Sequence, residues 1–318
     1  MNTDKYDDIA PLYDHEVNQV IQELLVDPGF QNAVRYILPD ISWDDFSAAM
    51  LQYTTKHDFQ TEMIYNTVWM LAKKTTTGLK GDKWDNIDQS REHLFMSNHR
   101  DIVLDAGFLN ILRYEQGLDT TEIAIGDNLL IHPWIDKLVR MNKSFVVRRN
   151  LSVREQLTAS KHLSEYIHHA IIRKEESIWV AQREGRAKDS DDRTQISLLK
   201  MLALSPEKSS FIDSIKELNI IPTALSYEYD PCDFLKAKEF QQKRDDPEYK
   251  KTQHDDLLNM ETGILGQKGR VIFRFGKCIN DELDKITEHD KRIQVEIVAG
   301  IIDREIHRNY EIYPGNYI

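Results

Sequence analysis

The sequence predicts an α/β protein with a mostly parallel, mixed sheet covered by helices, preceded by an N-terminal helical domain. Three observations lead there. The first 75 residues carry helix-period apolar spacing. From His93 onward, short apolar runs alternate with helical patterns of ten or more residues. Such an order implies crossover connections and strands covered on both faces. Between the two regions, residues 76–90 hold Gly78, Gly81 and several charges, and read as a linker. The expected domains are therefore 1–75, helical; 76–90, linker; and 91–318, α/β.

In the helical part, Leu12, Val17, Val20, Ile21, Leu24 and Leu25 share one face before a Pro28-Gly29 break, and Phe30 to Leu38 forms a second short helix. Ser42 with Asp45 three residues on opens a third helix through Leu51. A fourth runs from about Asp58 to Lys74, with Phe59, Met63, Ile64, Val68 and Leu71 on its buried side. In the α/β part, strands are expected at His93–Ser97, Glu122–Ile125, Ser144–Arg148, Ser177–Ala181, Ile220–Ser226 and Arg270–Phe275. The intervening helices are expected at Val103–Tyr114, Pro133–Met141, Val153–Arg173, Thr194–Leu204 and Lys208–Leu218. A polar helical segment reaches Leu265, and two amphipathic helices close the chain.

Length and charge narrow the function. At 318 residues the core needs no disulfide or metal staple, and Cys232 and Cys278 show neither zinc spacing nor a framework. Both read as packing residues of a reducing compartment. A net charge of −12 argues against a general nucleic-acid role. No apolar run is long enough to span a bilayer, and the acidic start lacks signal-peptide character. The expectation is a cytoplasmic chain, peripheral at most, at the inner face of a membrane. The charge is nonetheless uneven: residues 137–193 hold 13 Lys and Arg against 8 Asp and Glu, a local +5. On composition alone that stretch reads as a solvated, ion-paired surface.

Phosphate-cradling glycine signatures are missing, which removes most weight from nucleotide-dependent readings. His99 is the first chemical candidate. It follows an apolar strand, where open α/β sheets place ligands, and Asp101 and Asp105 follow it into the next helix. Imidazole acts as a base near neutral pH when a carboxylate on its other nitrogen fixes the tautomer. The structural alternative is a strand-end histidine with Asp105 as a first-turn acid. His162, His168 and His169 read as solvated surface, and His132 as a helix-entry residue. Trp134, Trp179 and Tyr227 read as core aromatics, and Glu228 as either a strand-end residue or a hydrogen-bonding group near the site. No metal site is expected.

Three further blocks follow in order: Ile123 to Leu129 leading to Ser144-Phe145-Val146-Val147-Arg148-Arg149; Ile178-Trp179-Val180-Ala181 leading to Arg183-Glu184-Gly185-Arg186-Ala187-Lys188; and Ile220-Ile221-Pro222-Thr223-Ala224-Leu225-Ser226-Tyr227-Glu228. With Asn98-His99 they resemble the four motif blocks of the glycerolipid acyltransferase superfamily, over roughly residues 93–230. The resemblance implies acyl transfer from a thioester, acyl-CoA or acyl-carrier protein, to a hydroxyl of glycerol-3-phosphate or lysophosphatidate. It makes His99 the general base and Asp105 its orienting acid, with Asp101 the competing acid. It assigns Arg148, Glu184, Gly185 and Arg186 to the acceptor phosphate, with Lys188 as a substitute contact, and Pro222 to the acyl channel. No bound cofactor is implied, since the donor is a cosubstrate. Membrane contact through the basic stretch is also expected.

Two spacings depart from the family. Five residues separate His99 from Asp105 where the family has four, and Gly185 is followed directly by Arg186. The extra residue is expected in the turn before the helix; on a regular helix it would rotate the carboxylate by about 100°. Two other readings stay open: an O-acyltransferase for a lyso-aminolipid or other monoacylated lipid, and a non-catalytic lipid-binding protein with a degenerate dyad.

Overall fold

The fold is described from a computed structural model covering residues 5–149, 151–186, 188, 191–204 and 210–317. The elements run α1 Asp14–Leu25, α2 Pro28–Ile37, α3 Trp43–Met50, and α4 Lys56–Asp58, which continues through the π-helical turn Phe59–Ile64 into α5 Tyr65–Thr75. Then come β1 Thr76–Asp82, β2 Leu94–Ser97, α6 Leu104–Glu115, β3 Glu122–Gly126, α7 Pro133–Met141, β4 Ser144–Val147, α8 Val153–Ile172 and β5 Ile178–Ala181. The chain continues with α9 Ile196–Leu202, α10 Phe211–Lys216, β6 Ile221–Tyr227, α11 Asp233–Asp245, α12 Gln253–Leu265, β7 Gly269–Phe275, α13 Asn280–Leu283 and α14 Lys291–Asn309.

Most expected elements are present within a few residues. The break between the first two helices falls just before Pro28, which opens α2: Pro28 sits in the first turn and the Asp27 carboxylate accepts from Gly29 N and Phe30 N at 2.8 and 3.1 Å. Ser42 caps α3 by accepting from Asp45 N at 3.1 Å. Of the two closing helices expected, α13 is a single turn and α14 is long. The expected helix start at Lys208, like Ala187 of the third block, lies outside the described residues.

The main correction concerns the linker. Residues 76–82 form β1, a parallel partner of β7, with Leu79 opposite Val271 and Asp82 opposite Arg274. The strand escapes pattern reading because it is an edge strand with a partly exposed face, where glycine and charge replace apolar alternation.

The chain divides into two compact units, 1–69 with 122–150, and 70–121 with 151–318. The division differs from the expected domains: the β3–α7–β4 segment packs with the N-terminal helices. In that first unit β3 and β4 pair in parallel, Ala124 opposite Phe145. Its core gathers Val17, Ile21 and Leu24 of α1, Phe30 of α2, Phe46 and Met50 of α3, Phe59, and Met141 of α7. Phe30 is ringed by Trp43, Phe46 and Trp134 at centroid distances of 6.0 to 6.4 Å.

The second unit holds five strands in the order β1-β7-β6-β2-β5. β6, β2 and β5 run in one direction and β7 and β1 in the other; three of the four pairings are parallel and only β7–β6 is antiparallel, giving a mostly parallel mixed sheet. Every residue of β2 and β6 is buried, so both faces of the sheet's centre are covered. Among the described residues no helix is long and apolar enough to cross a membrane.

Phe30→Ala is expected to lower stability by about 3–5 kcal/mol, the cost typical of truncating a buried aromatic. A lower urea midpoint in far-UV circular dichroism checks it; an unchanged midpoint contradicts this account of the first core.

Candidate functional site

The centre of the second unit's sheet sets the position of the site. β2 ends at Ser97, and the chain leaves it at Asn98, whose side-chain amide bonds Leu225 of β6 in both directions, from Nδ2 to the carbonyl and to Oδ1 from the amide, each at 2.8 Å. The turn that follows is thereby fastened to the neighbouring strand before α6 begins. His99 stands in this turn. Its Nδ1 lies 2.7 Å from Asp105 Oδ2, and its ring meets the edge of Trp179 at a centroid distance of 5.5 Å. The Trp179 indole N–H donates to Ser97 Oγ at 3.0 Å, so the wall beside the imidazole is itself tied to the strand end.

Asp105 is wholly buried. Its Oδ2 also accepts from the backbone N–H groups of Arg100 and Asp101 at 2.6 and 3.0 Å, and its Oδ1 accepts from the Tyr227 hydroxyl at 2.9 Å. Those donors supply what a buried carboxylate loses in leaving water. Burial, then the Asp105 charge, hold the Tyr227 phenol well above its ordinary value, so it remains a donor. Nδ1 faces Asp105, which leaves Nε2 as the ring nitrogen turned away from that carboxylate. Because α6 starts at Leu104, residues 100–103 form the turn and the longer spacing does not rotate the acid away.

Asp101, the competing acid, is turned elsewhere. Its Oδ1 accepts from Val103 N and Leu104 N, both at 2.8 Å, fixing the start of α6. Its Oδ2 is buried without a hydrogen-bond partner and faces Gly263 of α12, where a Cβ would overlap it. Burial and the like charge of Asp105 push its carboxyl up.

The Arg100 guanidinium pairs with the buried Asp192 at 2.8 Å and donates to Tyr310 Oη at 3.1 Å. Burial pushes the Asp192 carboxyl up against the opposing pull of Arg100. The pair fastens the histidine turn to the loop after β5. That loop is held in turn by α14: Asp303 accepts from Thr194 N and Oγ1 at 2.7 Å, and the His307 ring bonds the Asp192 carbonyl at 3.1 Å.

The remaining sequence-chosen residues do not all converge. Arg186 is buried; Nη2 donates to Asn259 Oδ1 at 2.8 Å, while Nη1 is buried with no partner. Gly185 adopts φ 69°, a conformation that favours glycine, and turns the chain between Glu184 and Arg186. Glu184 is exposed, and its backbone N–H donates to Gln195 Oε1 at 2.9 Å. Lys188 pairs with Glu239 at 3.2 Å, and burial draws its ammonium down. Pro222 is buried in β6 opposite Met96, its carbonyl accepting from Gly276 N at 2.8 Å. Arg148, in the first unit, is exposed and pairs with Asp8 at 2.7 Å.

Tyr227, Arg100, Asp192 and Tyr310 were not singled out for chemistry by pattern. Tyr227 carried the only local signal, a polar-tipped aromatic at the end of a central strand. Three expectations outside the site also resolve. His168 is buried, bonded to Glu217 at 3.0 Å and the Leu202 carbonyl at 2.9 Å, and is not solvated surface. Glu228 grips Arg270 through both oxygens at 2.9 Å, a strand-end role. His132 stands at the entry to α7 without a side-chain capping bond. Among the described residues no group of His, Cys, Asp and Glu is arranged to hold a metal ion.

Residues 80–223 match the family model described as Acyltransferase. Among solved structures the chain is similar to the 1-acyl-sn-glycerophosphate (LPA) acyltransferase PlsC of Thermotoga maritima, at 10% identity and a TM-score of 0.44, over 92% of this chain and 98% of that one. No curated protein matches the sequence.

Gly263→Ala is expected to force α12 away from the buried Asp101 carboxylate, at a cost of about 1–3 kcal/mol typical of overpacking. Thermal unfolding of the variant checks it; a wild-type melting temperature contradicts the close approach.

Proposed function

We propose, from the premise that this chain belongs to the glycerolipid acyltransferase superfamily, that it moves a fatty acyl group from a thioester to the hydroxyl of glycerol-3-phosphate or lysophosphatidate in phospholipid biosynthesis. The observation that carries the reading is the 2.7 Å contact between His99 and a fully buried, four-donor Asp105. A carboxylate held this way orients the ring and stabilises the imidazolium that forms during proton transfer.

In this mechanism the acceptor hydroxyl gives its proton to His99 Nε2 as its oxygen bonds the thioester carbonyl carbon. The tetrahedral intermediate collapses by breaking the C–S bond. The thiolate leaves with the proton returned from the imidazolium, so His99 ends neutral. The donor is acyl-CoA or acyl-carrier protein, a cosubstrate.

Arg186 is the proposed contact for the acceptor phosphate. A buried guanidinium nitrogen without a partner costs stability unless a ligand anion satisfies it, and its fork suits phosphate oxygens. Glu184 and Gly185 shape its turn. Lys188 and Arg148 already face Glu239 and Asp8, so either serves a phosphate only by exchanging that carboxylate. Pro222 is proposed to shape the acyl channel.

Membrane contact is proposed through the start of α8. Val153 and Leu157, one turn apart on the helix, are 87% and 66% exposed, beside Arg154. Exposed apolar side chains next to a cation suit the boundary of an anionic bilayer.

His99→Ala is expected to abolish thiol release from acyl-CoA or acyl-carrier protein in the presence of acceptor, with an unchanged circular dichroism spectrum; retained turnover contradicts the mechanism. Parallel assays with glycerol-3-phosphate, lysophosphatidate and a lyso-aminolipid identify the acceptor. Tyr227→Phe removes one hydrogen bond to a charged group, worth about 1.5–3 kcal/mol, and is expected to lower kcat roughly 10- to 150-fold with little change in KM. Val153→Asp with Leu157→Asp is expected to reduce co-flotation with anionic vesicles while leaving turnover of a water-soluble acceptor intact.

A further inference from the structure

A cavity of about 520 Å³ lies in the second unit, away from His99. Its place follows from strand register. Ile279 N bonds the Ile220 carbonyl, one residue before the Phe95–Ile221 pairing, which sets the cavity's 277–279 wall level with the start of β2. His99 lies beyond the other end of that strand, about 16 Å away along it at roughly 3.3 Å per residue.

The charge lining it is unbalanced. Lys83, Lys277, Arg304 and Arg308 face two carboxylates, Glu282 and Glu305. The carboxylates are taken: Arg308 pairs with Glu305 at 2.9 Å, and Arg304 with Glu282 at 3.7 Å. Lys83 bonds the neutral amide oxygen of Asn309, and no ion pair to Lys277 is found among the described residues. Two exposed lysines at the cavity thus have no ion-pair partner among the described residues, in a chain whose net charge is −12. Beside them, the buried Ile279 and Ile301 give the cavity an apolar wall. Two positive charges next to an apolar wall suit a dianion carrying a carbon skeleton, and the volume lies within the range of small-molecule sites.

One element joins this cavity to the histidine turn. Arg304 and Arg308 of α14 line it, while Asp303 and His307 of the same helix hold Thr194 and Asp192, and Asp192 holds Arg100 next to His99. A ligand that shifts or steadies this part of α14 acts on the loop through existing hydrogen bonds.

We propose that the cavity is an effector site for a small organic phosphate monoester, separate from the acceptor site and coupled to the 191–195 loop through α14. The test uses the full chain and phenyl phosphate as the probe, and it needs no catalytic activity. Calorimetric titration is run on the wild type, on Arg186→Gln and on the double variant Lys83→Gln/Lys277→Gln. Hydrogen exchange of the 191–195 segment is followed with and without probe. The expected result is binding that survives in Arg186→Gln, weakens at least tenfold in the double variant, and slows exchange of 191–195 at least twofold. An unchanged melting temperature for the double variant keeps the comparison valid; if it falls, the milder Lys277→Gln alone is used, with at least a threefold weakening expected. No binding to the wild type at 10 mM, binding lost only in Arg186→Gln, full binding in the lysine variants, or binding without a change in exchange overturns the proposal.

Discussion

Asp105 has no contact with solvent and yet collects the His99 ring, two backbone amides and the Tyr227 hydroxyl around its two oxygens. Nearly everything distinctive in the second unit serves that arrangement. The backbone amides can reach Oδ2 only because the chain turns sharply after β2, and the turn holds because Asn98 is bonded to β6 on one side and Asp101 caps α6 on the other. A carboxylate buried with fewer donors would be too costly to keep ionised. The contact from Asp105 fixes the orientation of the His99 ring. Pre-organisation of this kind needs no rearrangement when the imidazolium forms.

A second layer of polar contacts keeps the turn in place from the outside. Arg100 reaches Asp192 and Tyr310, and Lys236 donates to the Arg100 carbonyl at 3.0 Å while pairing with Asp230. Burying an ion pair contributes little net stability, since desolvation offsets the attraction, but breaking it leaves an uncompensated charge. Such a pair fixes geometry. It commits the histidine turn, the loop after β5 and the end of α14 to one arrangement.

Sequence patterning captured what depends on neighbours along the chain. Helix α7 was bounded at Pro133 and Met141 because proline at the first turn and the apolar spacing after it are local signals. His99 was found because a histidine past an apolar strand has a recognisable address. Strand β1 was not, because its stability comes from pairing with β7 across some 190 residues, and its own residues are those of a loop. Tyr227 was read correctly as buried, but the carboxylate that employs its hydroxyl lies on another element. Arg148 shows the converse: an aromatic-and-arginine block marks it for a phosphate, and folding gives it Asp8. Choosing between Asp101 and Asp105 likewise required knowing where α6 begins, which spacing alone left open.

If the His99–Asp105 contact is a hydrogen bond from Nδ1–H, the resting His99 presents an unprotonated Nε2. Long-range nitrogen–proton NMR correlation of the imidazole, assigned by comparison with His99→Gln, reads this directly. The Nδ1–H tautomer in the wild type, converted to a mixture in Asp105→Asn, is the predicted result. A wild-type ring protonated on Nε2 alone would contradict the proposed role of His99 as the base.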